Sequence, residues 1–297
     1  MPLIINLHDC KEPISLDKFL SYADSSYFNP ECRKSLIEMA PHLSRLSYNR
    51  SFLAELLTNE LINHDHLQSE NNYTSTVFII KDSPKYIFRA NIWRSLSQKE
   101  KLIDNFNYDV LHDHNFDILT VGYKGSGYVS ETYEYVNDNT KNIIGDVVEL
   151  TNKSTITLSQ HKIALYRAKK DVHKQHPPKD FSISLNLIPR NSLTNNPQFQ
   201  IDEEEHKIIR YLHTSSTELM IKLISLIGDR SNRKSLDRII SNNSNPYHRA
   251  LATIAISSLE DDINEETLNL LRQEKNEYIT RVFLQEYKGR NKINIEY

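Results

Sequence analysis

Between residues 75 and 188 the chain carries eight short runs rich in β-branched and aromatic residues: 75–80, 86–93, 116–123, 128–136, 146–150, 155–158, 163–166 and 181–188. Turn chemistry separates them, as in Lys124-Gly125-Ser126-Gly127, Asn137-Asp138-Asn139-Thr140, Thr151-Asn152-Lys153-Ser154 and His176-Pro177-Pro178-Lys179. A parallel sheet needs a crossover helix between neighbouring strands, and this spacing leaves no room for one. The segment is therefore expected to fold as an antiparallel sandwich or barrel. Glycine usage agrees: of six glycines, four (Gly122, Gly125, Gly127 and Gly145) fall in one short stretch of it.

On either side the pattern is helical. Apolar residues recur at i, i+3 and i+4 over 15–23, 30–40 and 43–63, and the polar stretch 64–74 reads as a linker. After Pro189, helices are expected near 203–213, 216–228, 231–241, 246–258 and 265–288. Ser215 to Glu218 forms a capping box, and Asn245-Pro246 reads as an N-cap with proline at N1. The expected organisation is α+β: a helical region over 1–74 packing on a barrel at 75–192, then a helical domain over 193–297.

Composition removes several function classes. With 38% hydrophobic and 25% charged residues, the chain has the make-up of a soluble globular protein. No apolar run approaches the roughly 20 residues that cross a bilayer, and the N-terminus lacks the basic n-region of a secretory signal. A net charge of -3 argues against gripping a phosphate backbone, and no basic recognition helix is visible. Cys10 and Cys32 cannot build a disulfide framework, so a cytoplasmic, reducing location is expected. No nucleic acid and no membrane are expected as partners, and a homodimer stays open.

The chemistry lies in the histidines. His112-Asp113-His114 stands at the start of a strand, where residues i and i+2 point to one face and both imidazoles reach one point. On a helix they would stand about 200° apart. His64-Asp65-His66 has the same spacing in a polar linker and reads as surface. What distinguishes the first pair is the strands that follow it and then Asp171-Val172-His173. If the strands fold back on themselves, His173 joins the pair and completes a facial set of nitrogens. Neutral imidazoles suit Fe, Zn, Cu or Ni, and the opposite face stays open for substrate.

His112-Asp113-His114, a strand, Gly125-Ser126-Gly127-Tyr128 and Glu131-Thr132-Tyr133 resemble the first motif of the cupins, in the branch of cysteine dioxygenase. His173, the Pro177-Pro178 loop and the strand Ser182-Ile183-Ser184-Leu185-Asn186-Leu187-Ile188 resemble the second. The resemblance covers roughly residues 75–190. It implies a jelly-roll barrel, Fe(II) held by His112, His114 and His173, and O2 as cosubstrate, with Zn, Ni or Mn as other metals such a site takes. The cupin glutamate would fall on Ile118 or Leu119, so a three-histidine site is the better match. By the same resemblance Arg89 holds a substrate carboxylate, with Arg94 as its substitute, and Ser184 supports the position now occupied by Asn186. The family's histidine is Asn186 here and its tyrosine is Ile188, and no cysteine near 116–120 could form the Cys–Tyr crosslink.

Around this set, Arg167, Lys169, Asp171 and His173 alternate, which makes Asp171 a candidate acceptor for a ligand imidazole. Gln175 and His176 are expected at the cavity mouth, and Tyr133 and Tyr135 in the core. In 181–187 the apolar residues should face helices, with Ser182, Ser184 and Asn186 facing a wet cavity. The leading expectation is a non-haem Fe(II) oxygenase acting on a small amino acid, thiol or related carboxylate. A zinc hydrolase or lyase, and a non-catalytic small-molecule-binding or regulatory cupin, are the alternatives.

Overall fold

A computed structural model describes residues 2–7, 10–63, 76–95, 108–136, 142–191, 197–212, 216–243, 245–259 and 279–285. The chain divides into two compact units, one of Met1–Val136 with Glu149–Thr194 and one of Asn137–Val148 with Asn195–Tyr297. The expected 64–74 linker with His64 and His66, and the Ser215 cap, lie outside the described residues.

The first unit opens with β1 (Leu3–Ile5) and four helices, α1 (Leu16–Asp24), α2 (Arg33–Glu38), α3 (Ala40–Ser47) and α4 (Phe52–Asn63). Nine β-segments follow in this unit and divide between two sheets: β2 (Val77–Asp82), β3 (Tyr86–Trp93), β4 (His112–Asp113), β5 (Ile118–Lys124), β6 (Val129–Val136), β7 (Glu149–Thr157), β8 (Ile163–Tyr166), β9 (Asp171–His176) and β10 (Ser182–Pro189). One sheet has the order β1-β8-β5-β10-β3-β2, and the other runs β4-β9-β6-β7 within this unit. The strand pairings are antiparallel. Two antiparallel sheets are what the short, turn-separated strands of the sequence lead one to expect.

Alternation along β10 explains the layering. Leu185 and Leu187, with Phe88, Ala90, Leu119, Val121 and Leu165 from neighbouring strands, form one apolar face that packs on Phe19, Leu36, Leu43 and Leu46 of the helices. The opposite face presents Ser184, Asn186 and Ile188, and there Ile188 joins Ile118, Tyr128, Leu158 and Tyr166 in a smaller cluster. Ile183 packs with the helices as expected, but Phe181 precedes the strand and is exposed. The two layers are also tied by Arg33, whose guanidinium donates to both oxygens of Asp117 at 2.8 and 2.9 Å.

Several boundaries differ from the sequence expectation, each for a local reason. The helical pattern over 43–63 breaks after Ser47 because Asn49 Oδ1 accepts from the backbone of Ser51 and Phe52 and starts a new helix. The expected turn at 151–154 is instead a bulge inside β7. Asn152 takes a left-handed φ of 52° there, and its amide donates to Glu134 at 3.0 Å. At Lys124-Gly125-Ser126-Gly127 the turn is real: Gly125 and Gly127 have φ of 84° and 80°, and a Cβ on either would strike backbone of Phe181 or Leu158.

The second unit has a hairpin, β11 (Phe199–Ile201) and β12 (Ile208–Tyr211), followed by α5 (Ser216–Ile227), α6 (Arg233–Asn242) and α7 (Pro246–Leu259). A helix expected over 203–213 is thus replaced by a turn and strand, since Asp202 Oδ1 accepts from Glu204 and Glu205 and closes a tight loop. Helix also covers 279–285 of the expected 265–288. Asn245 caps α7, accepting from Tyr247 at 2.9 Å, as its sequence position implied. Among the described residues no helix is long and apolar enough to cross a membrane.

Phe88 is fully buried and its ring lies 4.7 Å from that of Phe19, joining sheet to helix. Phe88→Ala is expected to lower stability by about 3–5 kcal/mol. Urea unfolding followed by circular dichroism checks it, and a loss below 1 kcal/mol would mean the helices do not rely on this face.

Candidate metal centre

β4 is only two residues long, but its pairing with β9 sets His112 directly opposite His173. Residues opposite one another in an antiparallel pair point to the same face, so their imidazoles meet, with ring centroids 4.5 Å apart. His114 follows two residues on and turns to the same side, 4.8 and 4.9 Å from the two other rings. The three side chains present nitrogens to a common point. His173 Nε2 lies 2.9 Å from His114 Nε2 and 3.1 Å from His112 Nε2.

The protonation state suits a metal. His112 Nδ1 contacts the Val110 carbonyl at 2.9 Å, and because a carbonyl only accepts, Nδ1 carries the proton and Nε2 keeps its lone pair. Burial pushes the pKa of His112 below the ordinary imidazole value, and that of His173 well below it; the neighbouring His112 and His114 add to the second shift. Neutral imidazoles aimed at one point are better served by a cation than by each other. The three ligand nitrogens all lie within 4.8 Å of one another, close enough for one ion to draw them together. No protein carboxylate joins the group among the described residues.

Different groups hold each ring. His112 is fixed by Val110, His114 stacks on Phe116 at 4.9 Å, and His173 packs against Tyr166 at 4.6 Å. Behind the pair, Asp113 points the opposite way and is fully buried. It accepts from Lys169 Nζ at 2.8 Å and from Tyr135 Oη at 2.5 Å. Lys169 also donates its backbone N–H to the His114 carbonyl at 2.8 Å from a left-handed φ of 55°. One residue thus secures both the charge and the backbone of the histidine pair.

Arg89 lies on the inner face of β3, buried and opposite Asn186 in register. Asn186 Oδ1 accepts from Thr120 at 2.6 Å, and Ser184 accepts from the Trp93 indole at 2.9 Å. Ser184 and Asn186 bond weakly to one another at 3.4 Å, and neither bonds to a ligand imidazole. Arg94 sits just beyond β3 and is exposed. Gln175 follows His173 onto the inner face, while His176 stands at the rim between Asp109 and Glu131, 2.5 and 2.7 Å away. Cys10 and Cys32 are free thiols.

Asp171 does not orient an imidazole. Residues 167–170 form a turn rather than strand, so alternation starts only at Asp171, whose carboxylate accepts from the backbone N–H and guanidinium of Arg167. Lys169 and Tyr135 are the supports that sequence reasoning missed. Alternation puts Lys169 on the face of His173, whereas the turn before β9 and its left-handed backbone bring it under Asp113.

No family model matches the chain, and no curated protein matches it. Among solved structures, similarity is found to a hydroquinone 1,2-dioxygenase in complex with Cd2+ and 4-hydroxybenzonitrile, at 10% identity and a TM-score of 0.27, over 42% of this chain and 71% of that one. A hydroquinone 1,2-dioxygenase from Sphingomonas sp. TTNP3 gives 8% identity and 0.28, over 41% and 70%. A prolyl 4-hydroxylase from Phytophthora capsici gives 11% and 0.24, over 90% and 81%. Likenesses this remote carry no argument about this chain.

Removing the lysine partner alone would strand a buried carboxylate. Lys169→Met is expected to cost about 3–5 kcal/mol, and Asp113→Leu with Lys169→Met to recover much of that. Unfolding midpoints of the two variants decide; equal losses would mean that packing, not charge, supports the site.

Proposed function

We propose that this protein is a metal-dependent oxygenase of the cupin type, with Fe(II) as the metal and O2 as cosubstrate. The observation that supports it best is the convergence of three imidazoles whose ligand nitrogens lie within 4.8 Å of one another, with no carboxylate in the group among the described residues. A three-nitrogen facial set leaves the far side for a substrate and O2, and an anionic substrate replaces the missing carboxylate ligand. Bound iron(II) would supply the redox centre at which substrate and O2 meet.

The remaining work belongs to the chain. Arg89 offers a buried guanidinium on the inner face, suited to a carboxylate. Asn186 and Thr120 continue a polar row across the same face, able to orient a small amino acid, thiol or carboxylic acid. The apolar cluster around Ile118 and Leu158 limits water at the site. The net charge of -3 fits a small-molecule substrate better than nucleic acid.

Metal content of anaerobically purified protein tests the reading. Near-stoichiometric iron is expected, with loss in His173→Ala and with O2 uptake on adding amino acids or thiols. Zinc would support the hydrolase or lyase, and no metal, even after reconstitution, would sink both enzyme readings and leave a binding module. Once a substrate is known, Arg89→Ala is expected to raise KM about 10–100-fold, the cost of a charge-assisted hydrogen-bonded pair. An unchanged KM would remove Arg89 from the site.

A further inference from the structure

Trp93 is the chain's one tryptophan, and its indole is held inside the first unit by its bond to Ser184. The Tyr128 ring lies 4.2 Å from it at 40°. Tyr128 and Tyr166 belong to one buried cluster against which Trp93 packs. Tyr166 in turn sits 4.6 Å from the ring of His173, at 60°. Tyr108, itself buried, lies 6.0 Å from Trp93, its hydroxyl donating to the Arg94 carbonyl at 3.2 Å near the end of β3. His173, Tyr166, Tyr128 and Trp93 therefore form one packed series, the two phenols meeting through their hydroxyls within the cluster.

The two inner phenols have little acid–base use. Burial pushes the pKa of Tyr128 well above the ordinary phenol value and also raises that of Tyr166, so both remain protonated at neutral pH. What a neutral buried ring in van der Waals contact still offers is a short path for an electron. Indole is the better terminus, because it gives up an electron without first losing a proton, and its Nε1–H is already held by Ser184.

We propose that Trp93 is a one-electron donor to the metal centre, coupled to it through the packed rings of Tyr128 and Tyr166, and that it spares the three histidines when an oxidant forms there without substrate. The proposal rests on the metal-binding reading above. In the step, one electron leaves the indole and reduces the oxidant generated at the metal from O2; no bond in Trp93 breaks. A thiol reductant, reaching the half-buried Trp93, returns the electron. Two such events turn two thiols into a disulfide and release two protons.

The test uses the full chain in two arms. Protein loaded with Fe(II) under anaerobic conditions is exposed to O2 without substrate. Protein loaded with Cu(II) is treated with hydrogen peroxide, which makes an oxidant at the histidines whatever the native chemistry. Freeze-quenched electron paramagnetic resonance and peptide mass spectrometry read both. An indole radical and oxidised Trp93, several-fold above metal-free protein treated alike, are expected. Trp93→Phe should lose the signal and speed oxidation of His112, His114 and His173. Tyr128→Leu, which keeps the cluster apolar, should cut Trp93 oxidation several-fold at unchanged metal content. A positive copper arm beside an inert iron arm would overturn the oxygenase reading and sustain this one. Oxidant consumed at the bound metal in either arm, with Trp93 oxidised no more than in metal-free protein, would overturn the proposal. Failure of both metals to bind would overturn it together with the reading beneath it.

Discussion

The pairing of β4 with β9, held from behind by the ion pair of Asp113 and Lys169, is the contact on which the candidate site depends. Two residues of strand are too few to hold a register by their own hydrogen bonds. The register survives because the charge between the two histidines is buried and must be met. Lys169 and Tyr135 meet it, and the Lys169 backbone also holds the His114 carbonyl. Slipping the pair by one residue would turn His112 and His173 to opposite faces and bury Asp113 without its partner.

The rest of the first unit can be understood as the two sides of one sheet. Its outer face is aliphatic and aromatic and buries the N-terminal helices, which supplies most of the stabilising apolar burial. Its inner face needs less apolar area and can therefore hold Arg89, Asn186, Thr120 and Ser184 beside Tyr166 and Trp93. Chemistry and stability are divided by the period of the strand, which sends neighbouring residues to opposite sides. That division lets a wall facing the histidines vary in polarity without unmaking the core that supports it.

The same division bears on the aromatic series. Trp93, Tyr128 and Tyr166 come from different strands or strand ends and meet only on the inner face. Their packing fills space that smaller residues would leave open, so a stabilising role and an electron-carrying role coincide in the same rings.

Much of this was legible in the sequence because it depends on local period. Short β-branched runs with Gly-rich turns announce antiparallel strands, and an HxH at a strand start puts two imidazoles on one side whatever else the chain does. The alternation of 182–188 likewise marks which side is apolar. Other features depended on partners far along the chain. Asn152 looks like a turn residue until Glu134 is found opposite it, and Asp171 looks like an imidazole acceptor until the 167–170 turn delivers Arg167. Lys169 looks like a strand neighbour of His173 until a left-handed backbone carries it beneath Asp113. The sequence by itself determined strand faces and the donor chemistry, since side-chain period and atom type are local properties. Which donors converge, and which charges are buried against one another, was decided only by the tertiary structure, because register and desolvation exist only once distant strands are paired.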